Sequence, residues 1–228
     1  MINWLVLNGV ILIVAYLLGA TPSGYWIGSW FYGIDIREQG SGSTGATNAL
    51  RTLGKLPALV VLVIDIFKGV LAIALVRYIY SLVFAQNLTI VAGVTDINIA
   101  KEWMVILTGL IAIVGHTKSI WIGFKGGKSV ASSLGILLAM SWVVGLGTLS
   151  VFIVVLIISR IVSLSSIIAA ITVSGLMFLT GQSLPYKIFA IAGGIYVIWR
   201  HSSNIKRLLA GKEPQIGQNL LTKLEIRE

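Results

Sequence analysis

The chain has 228 residues, of which 57% are hydrophobic and 11% are charged. Apolar side chains in that proportion exceed what one soluble core of this size buries, so the composition predicts an integral membrane protein. The chain has no cysteine and only two histidines, which excludes disulfides, thiolate nucleophiles and a metal centre built from either residue. We expect no metal and no other cofactor.

Charge-poor stretches of the chain have room for roughly seven helices, because each crossing of a bilayer needs about 20 residues. We therefore predict an all-α polytopic bundle with about seven transmembrane helices, and six is the alternative. The first apolar run is too long for a signal-peptide core and should remain as an anchor. The divisions inside the last run depend on Gly145 and Gly147, on Arg160 and on a turn over 181–185. The predicted helices cover residues 3–29, 57–80, 103–118, 129–145, 146–160, 162–181 and 185–201.

Lysine and arginine are distributed unevenly between the two ends of these helices. With seven helices, 13 of them lie on one face, Arg77, Lys101 and Lys187 lie on the other, and Lys68 lies inside a helix. Basic residues favour the cytoplasmic side, so we predict an external N-terminus and a cytoplasmic C-terminus. The net charge of +9 is interpreted as this topology signal together with attraction to anionic headgroups, and no nucleic-acid partner is expected.

The first predicted cytoplasmic loop contains "GSGSTGATN", residues 40–48. Its glycines permit positive φ angles that turn backbone N–H groups toward an anion, and its hydroxyls add neutral donors. The spacing G-x-G-x-x-G is also that of a dinucleotide-binding turn, but no βαβ unit surrounds it. A flexible turn is the alternative to a phosphate site. The candidate phosphate-binding residues of this loop are Gly40, Ser41, Gly42, Ser43, Gly45, Thr47, Asn48 and Arg51.

The second loop, "GHTKSIWIGFKGGKSVA" over residues 115–131, has two lysines around a glycine pair. It resembles a P-loop, but the spacing is one residue short and no strand precedes it. The field of the following helix N-terminus favours an anion here. We interpret His116, at the end of an apolar helix, as structural rather than catalytic. The candidate residues of this loop are Lys125, Gly126, Gly127 and Lys128.

A third polar region combines "SLSS", residues 163–166, with "WRHSSNIKRLLAGKEP", residues 199–214. His201 and Asn204 are three residues apart and would share one helical face. Neighbouring cations lower the proton affinity of His201, which suits a general base. The basic residues of this segment, taken singly, are explained as a cluster that ends a membrane helix.

Two charged residues fall inside the second predicted helix. Asp65 and Lys68 are at i and i+3 and can pair, which lowers the cost of placing both charges in hydrocarbon. They form either a buried structural pair or the back wall of a site, and the sequence leaves both open.

Taken together, "GSGSTGATNALRTLGK", "GHTKSIWIGFKGGKSVA" and "RHSSNIKRLLAGKE" resemble the three cytoplasmic motifs of the bacterial acyl-phosphate-dependent glycerol-3-phosphate acyltransferases, the PlsY family. Order, spacing and flanking apolar runs match over nearly the whole chain, which implies one integral membrane acyltransferase domain over residues 1–228. The resemblance implies transfer of a fatty acyl group from acyl phosphate to the 1-hydroxyl of glycerol 3-phosphate. The products would be lysophosphatidic acid and inorganic phosphate, in the first step of phospholipid synthesis.

The resemblance also implies residue roles. It assigns Ser41 and Arg51 to phosphate, Lys128 to phosphate or the developing oxyanion, and His201 with Asn204 to the reacting centre. Ser166 is a further catalytic candidate. The chain departs from the family where Ser43 and Thr44 replace the usual Asn-Pro, and where Ser129 replaces the usual glycine after the lysine; both changes keep a small polar turn.

The implied chemistry is direct attack of the hydroxyl on an activated acyl carbon, with no covalent enzyme intermediate. Either His201 or a phosphate oxygen of a substrate takes the proton. The implied location is the bacterial inner membrane with the active site facing the cytoplasm, and contact with an enzyme that produces acyl phosphate is a further expectation. A membrane transporter of phosphate or organic phosphate is the main alternative, and a purely structural membrane protein is another. Acyltransferases that use His-x-x-x-x-Asp are excluded, because Trp121 and Lys206 occupy that spacing after the two histidines.

Overall fold

The computed structural model describes residues 4–85 and 96–217. Asn3, where the first predicted helix begins, and Lys223 and Arg227 of the charge count lie outside the described residues. Within those residues all regular secondary structure is helical. The α-helices are α1 Trp4–Ala20, α2 Ser23–Tyr32, α3 Ala46–Thr52, α4 Lys55–Ala85, α5 Ile97–Thr117, α6 Val130–Met140, α7 Trp142–Ser159, α8 Val162–Leu179, α9 Leu184–Arg200 and α10 Ser202–Leu209.

Four of these helical segments are long and apolar enough to cross a membrane: Lys55–Ala85, Ile97–Ile122, Trp142–Ser159 and Val162–Leu179. The pair α1 and α2, bent by 44°, makes a fifth if it counts as one span. Each of the seven predicted helices has a helical counterpart, but α6 has only 11 residues, or about 17 Å at 1.5 Å per residue. The all-helical membrane fold is thus confirmed, whereas the count of seven spans and the orientation of the termini stay predictions.

Several predicted boundaries lie where short-range signals placed them. Arg160, with φ 57°, ends α7 in the left-handed conformation, and Gly181, with φ 64°, precedes α9. The predicted division near residue 145 was wrong, because the chain breaks at Ser141 and Gly145 lies inside α7. A side chain at Gly145 would collide with Leu138, so this glycine permits close packing of α7 on α6 and does not end a helix. The first predicted helix is also interrupted at Pro22, which lacks the N–H that would continue α1.

Close packing of helix backbones builds the centre of the bundle. Helix α1 packs on α5, α4 on α6, and α8 on both α7 and α9. Where α4 meets α6, a Cβ on Gly69 would strike the Ser132 carbonyl and a Cβ on Gly135 would strike the Ile66 carbonyl. Small residues of this kind let membrane helices approach at backbone distance. In contrast, only Val144, Gly145 and Thr148 of α7 are buried, which leaves most of this helix for lipid.

The three polar segments meet at one end of the bundle. Ser119 Oγ donates to the Ala20 carbonyl at 2.5 Å, and Arg37 Nη1 donates to the Ile122 carbonyl at 3.1 Å. The C-terminal segment joins them where Arg200 Nη2 donates to the Gly127 carbonyl at 3.2 Å. Segments far apart in sequence therefore share one face, as the topology prediction requires.

Candidate active site

A cavity of about 420 Å³ lies beneath the polar segments and extends into the bundle. Its mouth carries hydroxyls, cations and a histidine, and its interior is lined by aliphatic and aromatic side chains of α6, α8 and α9. Eight of the residues predicted from sequence line this cavity: Ser41, Gly45, Thr47, Arg51, Lys128, Ser166, His201 and Asn204. A smaller, more polar pocket of about 340 Å³ adjoins the mouth and is lined by Ser41, Gly42, Ser43, Gly126, Lys128, Trp199, Arg200, Ser202 and Ser203.

Asn48 holds the first loop together from beneath. Its Nδ2 lies 2.9–3.0 Å from the carbonyls of Ile36, Gln39 and Ser43, so its two N–H groups serve all three with one of them shared, and its Oδ1 accepts from the Ser41 backbone N–H at 2.9 Å. Both donors of the buried amide are used within the loop, so none is left for a phosphate, and Asn48 lines neither pocket. The structure therefore places Asn48 as the organiser of the loop and not at the cavity surface.

Part of the predicted backbone cradle of the first loop is occupied by the loop itself. The N–H of Ser41 is bonded to Asn48, and that of Gly42 donates to the Gln39 carbonyl at 3.0 Å. Gly40, with φ 57°, is required because a Cβ there would collide with Asn48 Oδ1. The loop thus presents the side chains of Ser41, Thr47 and Arg51 to the cavity, together with backbone at Gly45, where α3 begins.

The second loop folds back onto the end of α5. Gly126 and Gly127 lie against His116 so closely that a Cβ on either would strike it, and the Gly127 N–H donates to the His116 carbonyl at 3.3 Å. Ser129 holds the left-handed conformation, φ 62°, and its Oγ donates to the Ile113 carbonyl at 3.1 Å. These contacts direct Lys128 across the cavity, where its Nζ donates to Asn204 Oδ1. Lys125 is exposed and lines neither pocket.

His201 is buried at the end of α9 with one ring nitrogen fixed. Its Nδ1 lies 2.8 Å from the Val197 carbonyl, which can only accept, so Nδ1 carries the proton and Nε2 has a free lone pair. Burial, together with the charge of Lys128, lowers the pKa of His201 to about 4. At neutral pH the ring is therefore an uncharged acceptor on the cavity wall.

Cations gather around Lys128. Burial lowers the pKa of Lys128 to about 8, against the opposing effect of Glu213, and the charges of Arg207, Arg51 and Arg200 lower it further. Four cations against the single carboxylate of Glu213 leave net repulsion among them, so a dianionic ligand at the mouth would relieve it.

Glu213 lines the cavity and is a site residue that sequence reasoning missed. Its Oε1 accepts from Ser163 Oγ at 2.8 Å and from Asn204 Nδ2 at 2.6 Å, and its Oε2 accepts from Arg207 Nε at 2.7 Å. Because Asn204 Nδ2 is held by this carboxylate, Asn204 Oδ1 must face Lys128. The available signal was a lone acid after a run of cations in "IKRLLAGKEP".

The structure also gives the contacts of Ser166 and of the pair formed by Asp65 and Lys68. Ser166 lines the cavity, but its Oγ donates to the Val162 carbonyl at 2.8 Å, within its own helix. Asp65 and Lys68 form a buried ion pair at 2.8 Å, and Asp65 also lines the cavity. This pair thus fulfils both alternatives, as a structural pair and as the back wall.

Comparison with known proteins decides the family. The sequence model of the family described as glycerol-3-phosphate acyltransferase matches residues 9–211. The chain belongs to this family. It is 87% identical to the glycerol-3-phosphate acyltransferase of Trichodesmium erythraeum (strain IMS101) over the full length of both chains, and 60% identical to that of Nostoc sp. (strain PCC 7120 / SAG 25.82 / UTEX 2576) over 97% of each.

Solved structures of the same family share the fold. The glycerol 3-phosphate form of PlsY (YgiH), an integral membrane glycerol 3-phosphate acyltransferase, superposes with a TM-score of 0.79 at 33% identity, over 94% of this chain and 98% of that one. Its lysophosphatidic acid form gives 0.75 at 34% identity, over 92% and 95%. The resemblance to the PlsY family is therefore confirmed, and the chain is a PlsY-type acyltransferase.

Proposed function

We propose that the cavity transfers a fatty acyl group from acyl phosphate to the sn-1 hydroxyl of glycerol 3-phosphate. Family membership supports acylation of glycerol 3-phosphate, and the acyl-phosphate donor and the position acylated are the finer parts of the proposal. The observation that carries it is a single cavity with a cationic mouth and an apolar interior. Such a cavity suits two phosphorylated substrates, one of which has a long hydrocarbon tail.

Arg51 and Lys128 are proposed to hold phosphoryl groups at the mouth, with Ser41 and Thr47 as neutral donors. Gly42, Ser43 and Gly126 shape the adjoining polar pocket, while Gly40, Asn48 and Gly127 support the loops from behind. The acyl tail would follow α8 from Ser163 past Ala169 to Val173, all of which line the cavity. Ten residues of helix are about 15 Å long, which is room for most of a fatty chain.

In the proposed step the hydroxyl oxygen bonds to the acyl carbon and the carbonyl electron pair moves onto its oxygen. Collapse of this intermediate breaks the bond from the acyl carbon to the phosphate oxygen, and inorganic phosphate leaves. His201 Nε2 is one proposed acceptor for the hydroxyl proton, and a phosphate oxygen of a substrate is the other. Positioning and electrostatic stabilisation supply most of the rate enhancement in such a step.

Purified protein given glycerol 3-phosphate with acyl phosphate, acyl-CoA or acyl-carrier protein tests the donor. We expect lysophosphatidate from acyl phosphate only, acylated at sn-1 by NMR of the product. Lys128→Met should abolish product formation, whereas Lys101→Met, at the opposite end of α5, serves as the matched control. Phosphate transport into liposomes without lipid product would overturn the enzyme proposal in favour of a transporter.

The role of His201 has its own test. A general base contributes typically 10²- to 10⁴-fold to rate, so His201→Ala should lower kcat by at least about 10²-fold if His201 takes the proton. A loss below about tenfold would identify the substrate phosphate as the base. Binding of glycerol 3-phosphate to the variant, measured separately, controls for damage to the site.

We further propose that residues 1–228 act as one domain in the bacterial inner membrane, with the cavity mouth in the cytoplasm, where a soluble enzyme could deliver acyl phosphate. Because the chain has no cysteine, single cysteines at positions 43 and 203 can be labelled without background. Both should react from the cytoplasmic side only. Labelling of the two from opposite sides would exclude the shared site.

A further inference from the structure

His116 lies at the C-terminal end of α5, against the ion pair that Asp65 and Lys68 form on α4. Its ring has a defined tautomer. Lys68 Nζ is within hydrogen-bond distance of three acceptors: the Thr21 carbonyl at 2.8 Å, Asp65 Oδ1 at 2.8 Å and His116 Nδ1 at 2.9 Å. An ammonium has three N–H donors and no acceptor, so the third donor points at His116 Nδ1. Nδ1 is thus an acceptor, and the ring proton lies on Nε2. Ser132 Oγ, at 3.3 Å from the same Nδ1, is compatible with this assignment.

His116 is one of the residues that line the cavity, so its ring lies beside the space that the cavity encloses. Within the part of the chain that the structure describes, no side chain or carbonyl pairs with the protonated Nε2. Gly127 lies over this atom, and a Cβ at that position would strike Nε2. Only glycine at 127 therefore leaves the His116 ring and its N–H in place. The two histidines of the chain present opposite tautomers to one cavity, His201 as an acceptor and His116 as a donor.

His116 also lies at the boundary between the two regions of the cavity. Gly127 directly precedes Lys128 at the cationic mouth, while Ile113, one turn deeper on α5, lines the apolar interior. In an acyl phosphate the carbonyl group occupies the same boundary, between the phosphoryl head and the hydrocarbon tail. An uncharged N–H at this position matches a carbonyl oxygen that becomes negative only during the reaction.

We propose that His116 is a further catalytic residue, whose Nε2–H donates a hydrogen bond to the acyl carbonyl oxygen and stabilises the oxyanion; this rests on the proposed function. His116 transfers no proton: the ring is neutral before and after, and the hydroxyl proton goes to His201 or to phosphate. Asp65 and Lys68 are positioning residues that act through His116, because they fix its Nδ1 as the acceptor.

The tautomer is directly measurable, because the chain has only two histidines. Protein labelled with ¹⁵N-histidine should show, in its long-range ¹H–¹⁵N spectrum at neutral pH, one ring protonated at Nδ1 and one at Nε2. His201→Gln should remove the Nδ1–H ring and so assign the other to His116. A His116 ring protonated at Nδ1, or at both nitrogens, overturns the proposal whether or not the protein is active.

A bound donor analogue tests the contact itself. A long-chain acyl phosphonate, which keeps the carbonyl and resists hydrolysis, should move the His116 Nε2–H resonance downfield. Glycerol 3-phosphate alone should leave it nearly unchanged, because it has no acyl carbonyl. If the phosphonate inhibits acyl transfer but leaves this resonance where it was, the contact does not exist. Wild-type protein that makes no lysophosphatidate would instead refute the proposed function while the tautomer assignment stands.

Kinetics separates an oxyanion donor from a structural residue. His116→Phe keeps the ring volume and removes the donor, so kcat should fall by about 10²- to 10³-fold with little change in KM for glycerol 3-phosphate. His116→Gln, whose amide places an N–H near the position of Nε2, should recover at least part of that loss. Lys68→Gln should lower kcat and shift the His116 ring toward the Nδ1–H tautomer.

Two kinetic results overturn the proposal. One is equal kcat in the parent and both His116 variants. The other is an effect confined to KM for acyl phosphate, which would make His116 a ligand of the phosphoryl group. If His116→Phe does not fold, the Gln variant and the spectrum of the wild-type protein still decide.

Discussion

Glu213 joins three elements of the site, and its replacement by glutamine has a calculable effect. The carboxylate side chain is 3% exposed and accepts hydrogen bonds from Ser163, Asn204 and Arg207. Glutamine has nearly the same volume but one acceptor oxygen and two N–H donors. Its oxygen can serve the two donors now on Oε1, which leaves its NH₂ facing the Arg207 guanidinium.

The magnitude follows from the hydrogen bonds that glutamine cannot make. Hydrogen bonds to a charged group contribute about 1.5–3 kcal/mol each, but the Arg207 side chain is 41% exposed and would regain water. We therefore expect Glu213→Gln to lower the free energy of unfolding by about 2 kcal/mol at neutral pH. Ser163→Ala, which removes one donor to the same carboxylate, is the matched control and should cost about 1.5 kcal/mol, the lower end of that range.

The effect should depend on pH in a defined direction. Burial raises the pKa of Glu213, but hydrogen bonds from Asn204, Arg207 and Ser163 outweigh it, and the net pKa lies below the ordinary value. A carboxyl with a lowered folded-state pKa stabilises the protein above its unfolded-state pKa, and this stabilisation is lost as the pH falls through the lowered value. Parent and variant should therefore differ at pH 7 and converge in acid, where the parent carboxyl is also uncharged.

Activity should fall as well, because Glu213 orients the Asn204 amide. With glutamine the hydrogen bond from Asn204 Nδ2 is no longer charge-assisted and holds the amide less firmly, so we expect kcat/KM to drop by about tenfold, the equivalent of one charge-assisted hydrogen bond. Thermal unfolding in detergent over a pH series that starts at pH 7 and descends past the lowered pKa of Glu213, with acyl-transfer rates at pH 7, measures both effects. A stability difference that stays the same throughout the acid series, or unaltered stability and rate at pH 7, would refute this account of Glu213.

Three further outcomes follow from the geometry. The pH profile of kcat/KM should fall on the acid side near the His201 pKa of about 4 and on the alkaline side near the Lys128 pKa of about 8. Lys128→Arg should remove the alkaline limb, since arginine stays charged. An alkaline limb that does not move in this variant would contradict its assignment to Lys128. Ser129→Ala should be less stable than Ser129→Gly by about 1 kcal/mol, because a Cβ at φ 62° is strained, and equal unfolding midpoints would exclude that strain. Val173→Phe, deep in the cavity, should shorten the longest acyl phosphate accepted without changing KM for glycerol 3-phosphate, and an unchanged chain-length profile would mean that the tail lies elsewhere.

The sequence by itself determined the class of protein, its helical composition and its family. These depend on local properties: the length of apolar runs, the left-handed preference at positions such as Gly181, and the short polar motifs. The break at Ser141 was missed because glycine is a common helix breaker, and the helix boundary was therefore placed at Gly145. In the structure Gly145 lies inside α7 and permits close packing against Leu138. Pro22 was an available local signal for the bend between α1 and α2, and it went unused.

Only the tertiary structure decided which side chains meet. Ser163 and Glu213 are 50 residues apart in sequence, and Lys68 and His116 are 48 apart, yet each pair is in hydrogen-bond contact. A membrane helix that is apolar on every side carries little amphipathic signal for the face that packs inward, so the rotation of each helix, and with it every contact between helices, is set by packing. The acceptor state of His201 and the donor state of His116 follow from those contacts, and no local pattern in the chain encodes them.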